Sequence, residues 1–496
     1  MALANMVELI MFKHVILSLF GAGLLHLVAK CVYRLYFHPL AKYPGPKMAA
    51  LTDLYFYWSL STGNHVFNMQ ANHRKYGDIF RLKPNALSFN SVQAHIDVHS
   101  HPKSGSNKFL KTEFYDNGDV PRLSSERDPV KHGEMRRSMA HGFSMQALRG
   151  QEDVVHHFLD MLIKQIARLG ENGAKALDAS MLHNWVTFDI LGDLAFGETF
   201  GSVKSGKTHW WVSLLLDSVY LGFLTSLRRD QPWVTILLPF FLPKGIVENK
   251  KKHFEMTRAK ARRRLELGDM GRDDFFSHII RRGTMSEATI LANAHSLIVA
   301  GSETTATALT ATTYFLLSKP ETYKRLEAEI LGSFKSAEDI NSTATSKLTY
   351  LNAVLNEGLR VFPPTAPGLP RYSPGAYVNG KYIPKGVEVQ VDAYALQHDP
   401  RYWKNPESFI PERFVGEGLG DNMRAFVPFS VGPRACIGSN LALIELRVVL
   451  AKLMWHFRWE LISKDLGDWN HKCQNYMLWT KPPLMVKFHP RQPVEG

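Results

Sequence analysis

Hydrophobic and polar positions follow different patterns in successive parts of the chain. A nearly continuous apolar stretch runs from about residue 7 to residue 29. Short alternations, such as the one at 78–82, are typical of strands. From about 130 to 335 the spacing is mostly helical, and residues 365–395 return to strand and turn character. The pattern therefore predicts a mainly α chain with a small β region.

The longest predicted helix begins near residue 284. Thr284-Met285-Ser286-Glu287 has the spacing of a capping box, in which two side chains satisfy backbone N–H groups of the first turn. We expect the helix to run from Ala288 to about Leu317, since Pro320 cannot continue it. Asn379-Gly380 predicts a hairpin turn. Another helix is expected from just after Cys436 to about Phe457.

The apolar stretch at the N-terminus is about as long as a bilayer span, which needs roughly twenty residues. The basic residues that follow it are Lys30, Arg34, Lys42 and Lys47. They place the bulk of the chain on the cytoplasmic side. A cleaved signal peptide is the alternative, but the start is poorly basic and has no convincing cleavage site. We expect an uncleaved anchor over 1–35, a Pro-rich hinge over 36–48 and one large domain over 49–496.

Composition narrows the class of protein. The 496 residues are 45% hydrophobic, which is enough for a large core and unlike a disordered chain. The three cysteines, Cys31, Cys436 and Cys473, have neither disulfide nor metal-site spacing. The net charge of +13 suits an anionic membrane, an acidic partner protein or nucleic acid. No nucleic-acid motif accompanies the charge, so the first two are favoured, and a merely basic soluble surface stays open.

The segment from Phe429 to Gly438 carries the most specific signal. It reads Phe-Ser-Val-Gly-Pro-Arg-Ala-Cys-Ile-Gly and resembles the haem-binding loop of the cytochrome P-450 superfamily, Phe-x-x-Gly-x-Arg-x-Cys-x-Gly. The resemblance implies that Cys436 is the thiolate ligand of the haem iron and that Arg434 pairs with a haem propionate. Gly432 and Gly438 would let the backbone approach the porphyrin. A buried cysteine beside a glycine-rich turn is the ordinary alternative, but it leaves five matching positions unexplained.

Ala300-Gly301-Ser302-Glu303-Thr304-Thr305 lies midway along the long predicted helix. It resembles the family's oxygen-activation motif. Glycine and β-branched residues lower helix propensity, so a helix that keeps them is expected to gain something in function. By resemblance, Ala300 and Gly301 leave room for dioxygen, Thr304 orients a proton and Glu303 relays protons from solvent. The family more often has Asp at the Glu303 position, and ordinary helix packing with a solvated Glu is the alternative.

Other positions are assigned by the same resemblance to supporting roles. Glu357-Gly358-Leu359-Arg360 and Pro411-Glu412-Arg413-Phe414 resemble motifs that join in a buried ionic triad; a solvated surface pair is the alternative. Arg136 matches the Arg of the family's Trp-x-x-x-Arg, with His132 in place of Trp. Both are assigned to haem propionates, as is Arg371, although a surface histidine is equally open for His132. Phe429 and Gly438 complete the predicted cofactor-binding set.

The substrate-binding end is placed by family position alone. The segments expected to line the pocket are the loop around Phe114 and Tyr115, residues 208–226 and 232–245, Ala300 with its neighbours, and residues 365–369. The strongly apolar stretch 234–242 either dips into the membrane beside a substrate channel or belongs to the core.

The resemblance as a whole implies a cytochrome P-450 fold and a haem-thiolate monooxygenase, which puts one atom of O₂ into a hydrophobic organic substrate. The cofactor would be haem b, with NADPH used indirectly because the chain has no flavin- or NADPH-binding motif. The implied partners are NADPH-cytochrome P-450 reductase, cytochrome b5, a small hydrophobic substrate and a membrane, with no nucleic acid. The hinge Tyr36-Phe37-His38-Pro39-Leu40 looks most like fungal microsomal members, many of which oxidise terpenoids, polyketides or alkaloids. The expected location is the endoplasmic reticulum membrane, single-pass, with the catalytic domain facing the cytoplasm.

Two alternative functions follow from the same residues. A haem-thiolate isomerase or dehydratase would need no reductase, but such enzymes often lack the acid–alcohol pair that Glu303 and Thr304 provide. A non-catalytic haem-binding membrane protein would have no use for a proton relay.

Overall fold

The structure is a computed structural model, and it describes residues 2–102, 108–116, 120–209, 224, 226–236, 246–266, 268, 275, 277, 279, 283–463 and 467–492. Helices dominate it, as the sequence predicts. The labelled helices are α1 Ala2–Val32, α2 Lys47–Leu51, α3 Leu54–Ser61, α4 His65–Tyr76, α5 Val92–His99, α6 Pro129–Met139, α7 Met145–Arg149, α8 Glu152–Leu169, α9 Ala179–Phe196, α10 Ser202–Ser205, α11 Ile246–Glu266, α12 Glu287–Leu317, α13 Pro320–Ser333, α14 Ser342–Thr345, α15 Thr349–Val361, α16 Ala393–Gln397, α17 Ser439–His456 and α18 Trp469–Lys472.

The β region is small, and its described strands form one five-stranded, one three-stranded and two two-stranded sheets. Its strands are β1 Ile79–Lys83, β2 Ala86–Phe89, β3 Leu110–Lys111, β4 Leu177–Asp178, β5 Arg371–Tyr372, β6 Ala376–Val378, β7 Lys381–Ile383, β8 Glu388–Val391, β9 Phe457–Leu461, β10 Gln474–Asn475, β11 Trp479–Thr480 and β12 Met485–Pro490. The largest sheet has the order β1-β2-β8-β5-β3, in which only the β2–β8 pair is parallel. The predicted hairpin is confirmed: Asn379 and Gly380 join β6 to β7 with φ values of 48° and 72°.

The long helix α12 runs through the core and packs most extensively on α9. Its predicted end at Leu317 is confirmed, but the predicted cap is wrong by two residues. Ser286, rather than Thr284, accepts the backbone N–H of Thr289. Gly301 permits the close contact with α9, since a Cβ there would lie 3.0 Å from Cδ1 of Leu191. The absence of a side chain at Gly301 therefore allows the two helices to pack closely, in addition to leaving room around this position.

The N-terminal helix α1 has an exposed apolar surface, and a π-helical turn, Tyr33–Phe37, extends it. Within the described residues, the stretch Glu8–Phe37 is long and apolar enough to cross a membrane. The proline-rich segment after it is tied to strand β1. Arg81 donates its backbone N–H to the carbonyl of Pro44 at 2.7 Å and a guanidinium N–H to the carbonyl of Arg34 at 2.6 Å. The division into anchor, hinge and domain stays a prediction.

An ionic triad is buried behind the loop that carries Cys436. The side chains of Glu357, Arg360 and Arg413 have no solvent exposure, and their ion-pair distances to Glu357 are 2.7 and 3.1 Å. Arg360 also donates to the carbonyl of Gln397, whose side-chain oxygen accepts the backbone N–H of Val427 at 2.9 Å. The buried pairing predicted from sequence is confirmed, and it positions the chain two residues before Phe429.

Candidate active site

One cavity lies between helix α12 and the segment 427–438. Its walls are mostly apolar, and most of the described residues on them come from α5, α12, the 364–369 segment, the cysteine loop and α17. The predicted site residues found on the walls are Ala300, Gly301, Thr304, Phe429, Arg434, Cys436 and Gly438. The two strongest motifs of the sequence therefore meet at one cavity, although they are separated by more than a hundred residues of chain.

Cys436 presents its side chain to this cavity. Its backbone N–H donates to the carbonyl of Phe429 at 2.9 Å, which closes the loop beneath the thiol. Burial raises the pKa of the Cys436 thiol, while the backbone N–H of Gly438 and the charge of Arg136 act in the opposite direction. The following helix α17 begins at Ser439, directly behind the loop, as predicted. Its N-terminal end adds positive potential at the same place.

The loop conformation itself requires glycine at position 432. Gly432 has a φ of +75°, a conformation that side chains rarely adopt. A Cβ at this position would lie 2.2 Å from the carbonyl oxygen of His99 at the end of α5. The glycine of the predicted motif is therefore explained by a close backbone contact between the loop and α5.

Three buried or half-buried cations meet at one edge of the cavity: Lys111, Arg371 and Arg434. Burial and the two arginines lower the pKa of Lys111 to about 6. Burial and the charge of Arg371 lower the pKa of Arg434 to about 10. Lys111 donates to the backbone carbonyl of Ser124 at 2.7 Å. These three residues are called the cationic cluster below.

His132 and Arg136, on α6, lie beside this cluster. Burial, followed by the charge of Arg434, lowers the pKa of His132 to about 3, so the ring is neutral. It is 4% exposed, which contradicts the alternative of a surface histidine. Arg136 donates to the carbonyl of Ala435 at 2.7 Å and so contacts the cysteine loop. Arg434 donates to the carbonyls of Glu126 and Arg127.

The acid and the alcohol of the α12 motif face different surroundings. Thr304 lines the cavity and donates to the carbonyl of Ala300 at 2.6 Å. Glu303 is 3% exposed, is absent from the described cavity wall, and forms an ion pair with Lys481 at 2.5 Å. The alternative of a solvated Glu is therefore wrong. Lys481 lies 178 residues away in sequence, so no local pattern reveals it.

Comparison with known proteins places the chain in a family. The family model described as Cytochrome P450 matches residues 46–488. The chain belongs to the cytochrome P450 family. It is 39% identical to cytochrome P450 monooxygenase BOA3 of Botryotinia fuckeliana over 471 residues, covering 92% of each chain. It is 38% identical to the trichothecene C-15 hydroxylase of Fusarium sporotrichioides over 484 residues, covering 95% of this chain and 97% of the relative.

Membership of the cytochrome P450 family implies a haem with a thiolate-bound iron, and the residues of the cavity fit that group. A thiol projects from one wall, as an axial ligand requires. The cationic cluster has too few nearby acids to balance it: Glu126 and Asp128 are the carboxylates that act on Arg434. Two haem propionates would supply the missing negative charge.

Some predicted positions lie elsewhere. Phe114 and Tyr115 line a second cavity, which shares Leu369 with the first. Most of the predicted pocket segments 208–226 and 232–245, including most of the apolar stretch 234–242, lie outside the described residues. Sequence reasoning missed Lys111 and Lys481. Lys111 lies in a two-residue strand, and Lys481 precedes two prolines. Neither sequence context distinguishes these residues from surface lysines.

Proposed function

We propose that this cytochrome P450 is a haem-thiolate monooxygenase that inserts one atom of O₂ into a hydrophobic substrate. The observation that carries the proposal is that Cys436 and Thr304 line the same apolar cavity. A ligand for the iron and a hydroxyl group that can position a proton therefore border one space. Haem b, when bound there, supplies the redox chemistry that protein side chains lack.

Each residue around the cavity is assigned a separate role in binding the haem or in delivering a proton. Cys436 binds the iron, and Phe429 and Gly438 shape the loop that presents the thiol. Arg434 and Arg371 bind the propionates, together with Lys111, while His132 and Arg136 complete that edge. Thr304 orients a proton in the cavity, and Glu303 supplies it. The supporting observations are the burial and mutual proximity of these cations and the contact of Arg136 with the cysteine loop.

The substrate is a small hydrophobic molecule of fungal secondary metabolism, such as a terpenoid, polyketide or alkaloid. Apolar walls support the hydrophobic class. One relative is named a trichothecene C-15 hydroxylase, a name that describes a hydroxylation. Electrons come from NADPH through a partner reductase, with cytochrome b5 as a second donor.

The chain acts at the membrane of the endoplasmic reticulum, held by residues 1–35 with the catalytic domain in the cytoplasm. The exposed apolar surface of α1 and the basic residues that follow it support this arrangement. The acid–alcohol pair at 303 and 304 favours the monooxygenase over a reductase-independent isomerase or dehydratase, and over a non-catalytic haem-binding membrane protein.

The test combines metabolite comparison with isotope labelling. Metabolites that accumulate in a strain lacking the gene, compared with a strain carrying it, are supplied to the purified protein with NADPH, reductase and ¹⁸O₂. A monooxygenase gives a product with one ¹⁸O atom and consumes NADPH. Conversion without NADPH or ¹⁸O incorporation would instead support the isomerase or dehydratase.

A further inference from the structure

A stripe of three buried polar side chains runs along one side of helix α12. Glu303, Thr307 and Thr310 occupy positions i, i+4 and i+7, which lie on one face of a helix, and all three are buried. Two polar side chains from outside α12 meet this stripe. Lys481 lies beside Glu303 and Thr307, and His183 of α9 lies 3.1 Å from the hydroxyl of Thr310.

Lys481 makes three hydrogen bonds at this face. Its ammonium group donates to Glu303 at 2.5 Å, to Thr307 at 2.7 Å and to the carbonyl of Trp479 at 3.3 Å. An ammonium has three donors, so all of them are engaged inside the protein. The side chains of Lys481 and Glu303 are 5% and 4% exposed. The ion pair is thus held in a fixed geometry and shielded from solvent.

The hydrogen bonds to Glu303 fall on one oxygen. Lys481 and Thr307 both donate to Oε1, at 2.5 and 3.2 Å. Thr307 lies on the stripe and Lys481 beside it, and neither is on the described cavity wall to which Ala300, Thr304 and Ala308 contribute. Glu303 therefore has to leave Lys481, or turn its second oxygen, before a proton can pass to the cavity.

We propose that Lys481 is a positioning residue for proton delivery: its ion pair with Glu303 holds that buried carboxyl group in one orientation behind the cavity wall, from which it turns to pass a proton. The proposal rests on the proposed function, since it concerns the proton that oxygen activation consumes. Without the ammonium, the carboxyl group keeps only the longer hydrogen bond from Thr307, at 3.2 Å, and loses the charge-assisted contact that fixes its orientation. The side chain would then deliver protons to the cavity less efficiently.

The first test is the yield of product per NADPH in the haem-loaded enzyme with reductase. Lys481→Met should lower the rate of product formation at least 10-fold, which is part of the roughly 10²–10⁴ that general acid assistance supplies, and release more hydrogen peroxide. Lys481→Arg keeps the charge and should recover most of the yield. Glu303→Gln should resemble Lys481→Met, and the double variant should be no worse than either, because the two residues act as a unit.

A second arm uses hydrogen peroxide in place of O₂ and NADPH. Peroxide brings both oxygen atoms, two electrons and two protons, so RH + H₂O₂ gives ROH + H₂O without a proton from solvent. Lys481→Met should keep this activity within about 2-fold of the unaltered enzyme. An equal loss with peroxide and with NADPH would overturn the proposal, since it would mean that Lys481 supports the pocket. If the unaltered enzyme makes no oxygenated product in either arm, the proposed function fails instead.

Unfolding provides a readout that does not depend on activity. Breaking a buried ion pair should lower the unfolding midpoint of Lys481→Met by about 3–5 °C for a chain of this size. Adding Glu303→Gln should restore part of that loss, because no unpaired carboxylate remains. Lys452→Met is the control: its side chain is also 5% exposed and pairs at 2.7 Å with Asp160, whose own side chain is 55% exposed. This control should lose stability and keep its yield per NADPH. A yield that falls equally in the control would contradict the proposal.

Discussion

Lys111 and Arg371 are direct register partners across the antiparallel β3–β5 pair. Both are buried, at 5% and 4% exposure, and both lie near Arg434. Like charges directly opposite each other destabilise a sheet. The burial of this pair is explained if an anionic group binds to both side chains. The haem implied by the cytochrome P450 family carries two carboxylates.

We therefore predict that Lys111→Met has opposite effects on the haem-loaded and haem-free protein. A hydrogen bond between charged groups contributes about 1.5–3 kcal/mol, so haem should transfer to excess apomyoglobin about 10- to 100-fold faster. The unfolding midpoint of the haem-free protein should rise at neutral pH, because burial beside two arginines lowers the pKa of Lys111 to about 6, and folding must therefore discharge this lysine at a cost in stability. Lys108→Met, at an exposed position three residues earlier, should change neither. Unaltered haem transfer in Lys111→Met would contradict the role of the cationic cluster.

The ionic triad predicts a folding defect rather than a catalytic one. Glu357→Ala leaves Arg360 and Arg413 buried without their carboxylate, at a cost of about 3–5 kcal/mol. Little haem-loaded protein should be recovered. Glu248→Ala removes an exposed pair with Lys252 and should cost less than about 1 kcal/mol. A well-folded, fully haem-loaded Glu357→Ala protein would refute the structural role.

Local patterns predicted most of the fold and part of the site. The bounds of α12 and α17 and the turn at Asn379 follow from spacing, caps and turn residues, which are local properties. The cluster at Lys111 and the partner of Glu303 could not be predicted, because each depends on a contact between distant segments. Glu303 illustrates this difference. The motif identified Glu303 as a candidate site residue. Its ion pair with Lys481 and its position away from the cavity wall are consequences of tertiary packing.

Glu445 of α17 predicts a pH dependence of stability. It is fully buried, neither carboxyl oxygen has a hydrogen bond of good geometry, and burial raises its pKa well above the ordinary value of 4.5. The folded chain therefore binds more protons than the unfolded chain above about pH 4.5. Its contribution to stability is complete below that pH and declines as the pH rises toward the folded pKa.

Glu445→Gln removes this dependence. The variant should match the unaltered protein near pH 4.5 and gain relative stability by about 1.4 kcal/mol for each pH unit up to the folded pKa. The measurement is the free energy of unfolding at several pH values between 4.5 and 8. A difference between the two proteins that stays constant with pH would show that Glu445 is ionised in the fold.

Thr304 predicts a defect in coupling. Thr304→Ala should still bind haem and substrate and accept electrons, but form less product per NADPH and release more hydrogen peroxide. The expected loss lies within about 10²–10⁴ in rate. Thr305→Ala should be milder, because the Thr305 side chain, unlike that of Thr304, is buried and lies beside Glu445. Unchanged coupling in Thr304→Ala would mean that another group delivers the proton.

The most direct test of the whole account is the absorption spectrum of the reduced carbon monoxide complex. The unaltered protein should show the red-shifted Soret band of a thiolate-bound haem iron, and Cys436→Ala should lose it. Cys31→Ser and Cys473→Ser should leave the band unchanged, since neither sulfur lies on the described wall of the cavity. A Cys436→Ala protein that keeps the red-shifted band would contradict the assignment of Cys436 and, with it, the proposed chemistry of this cavity.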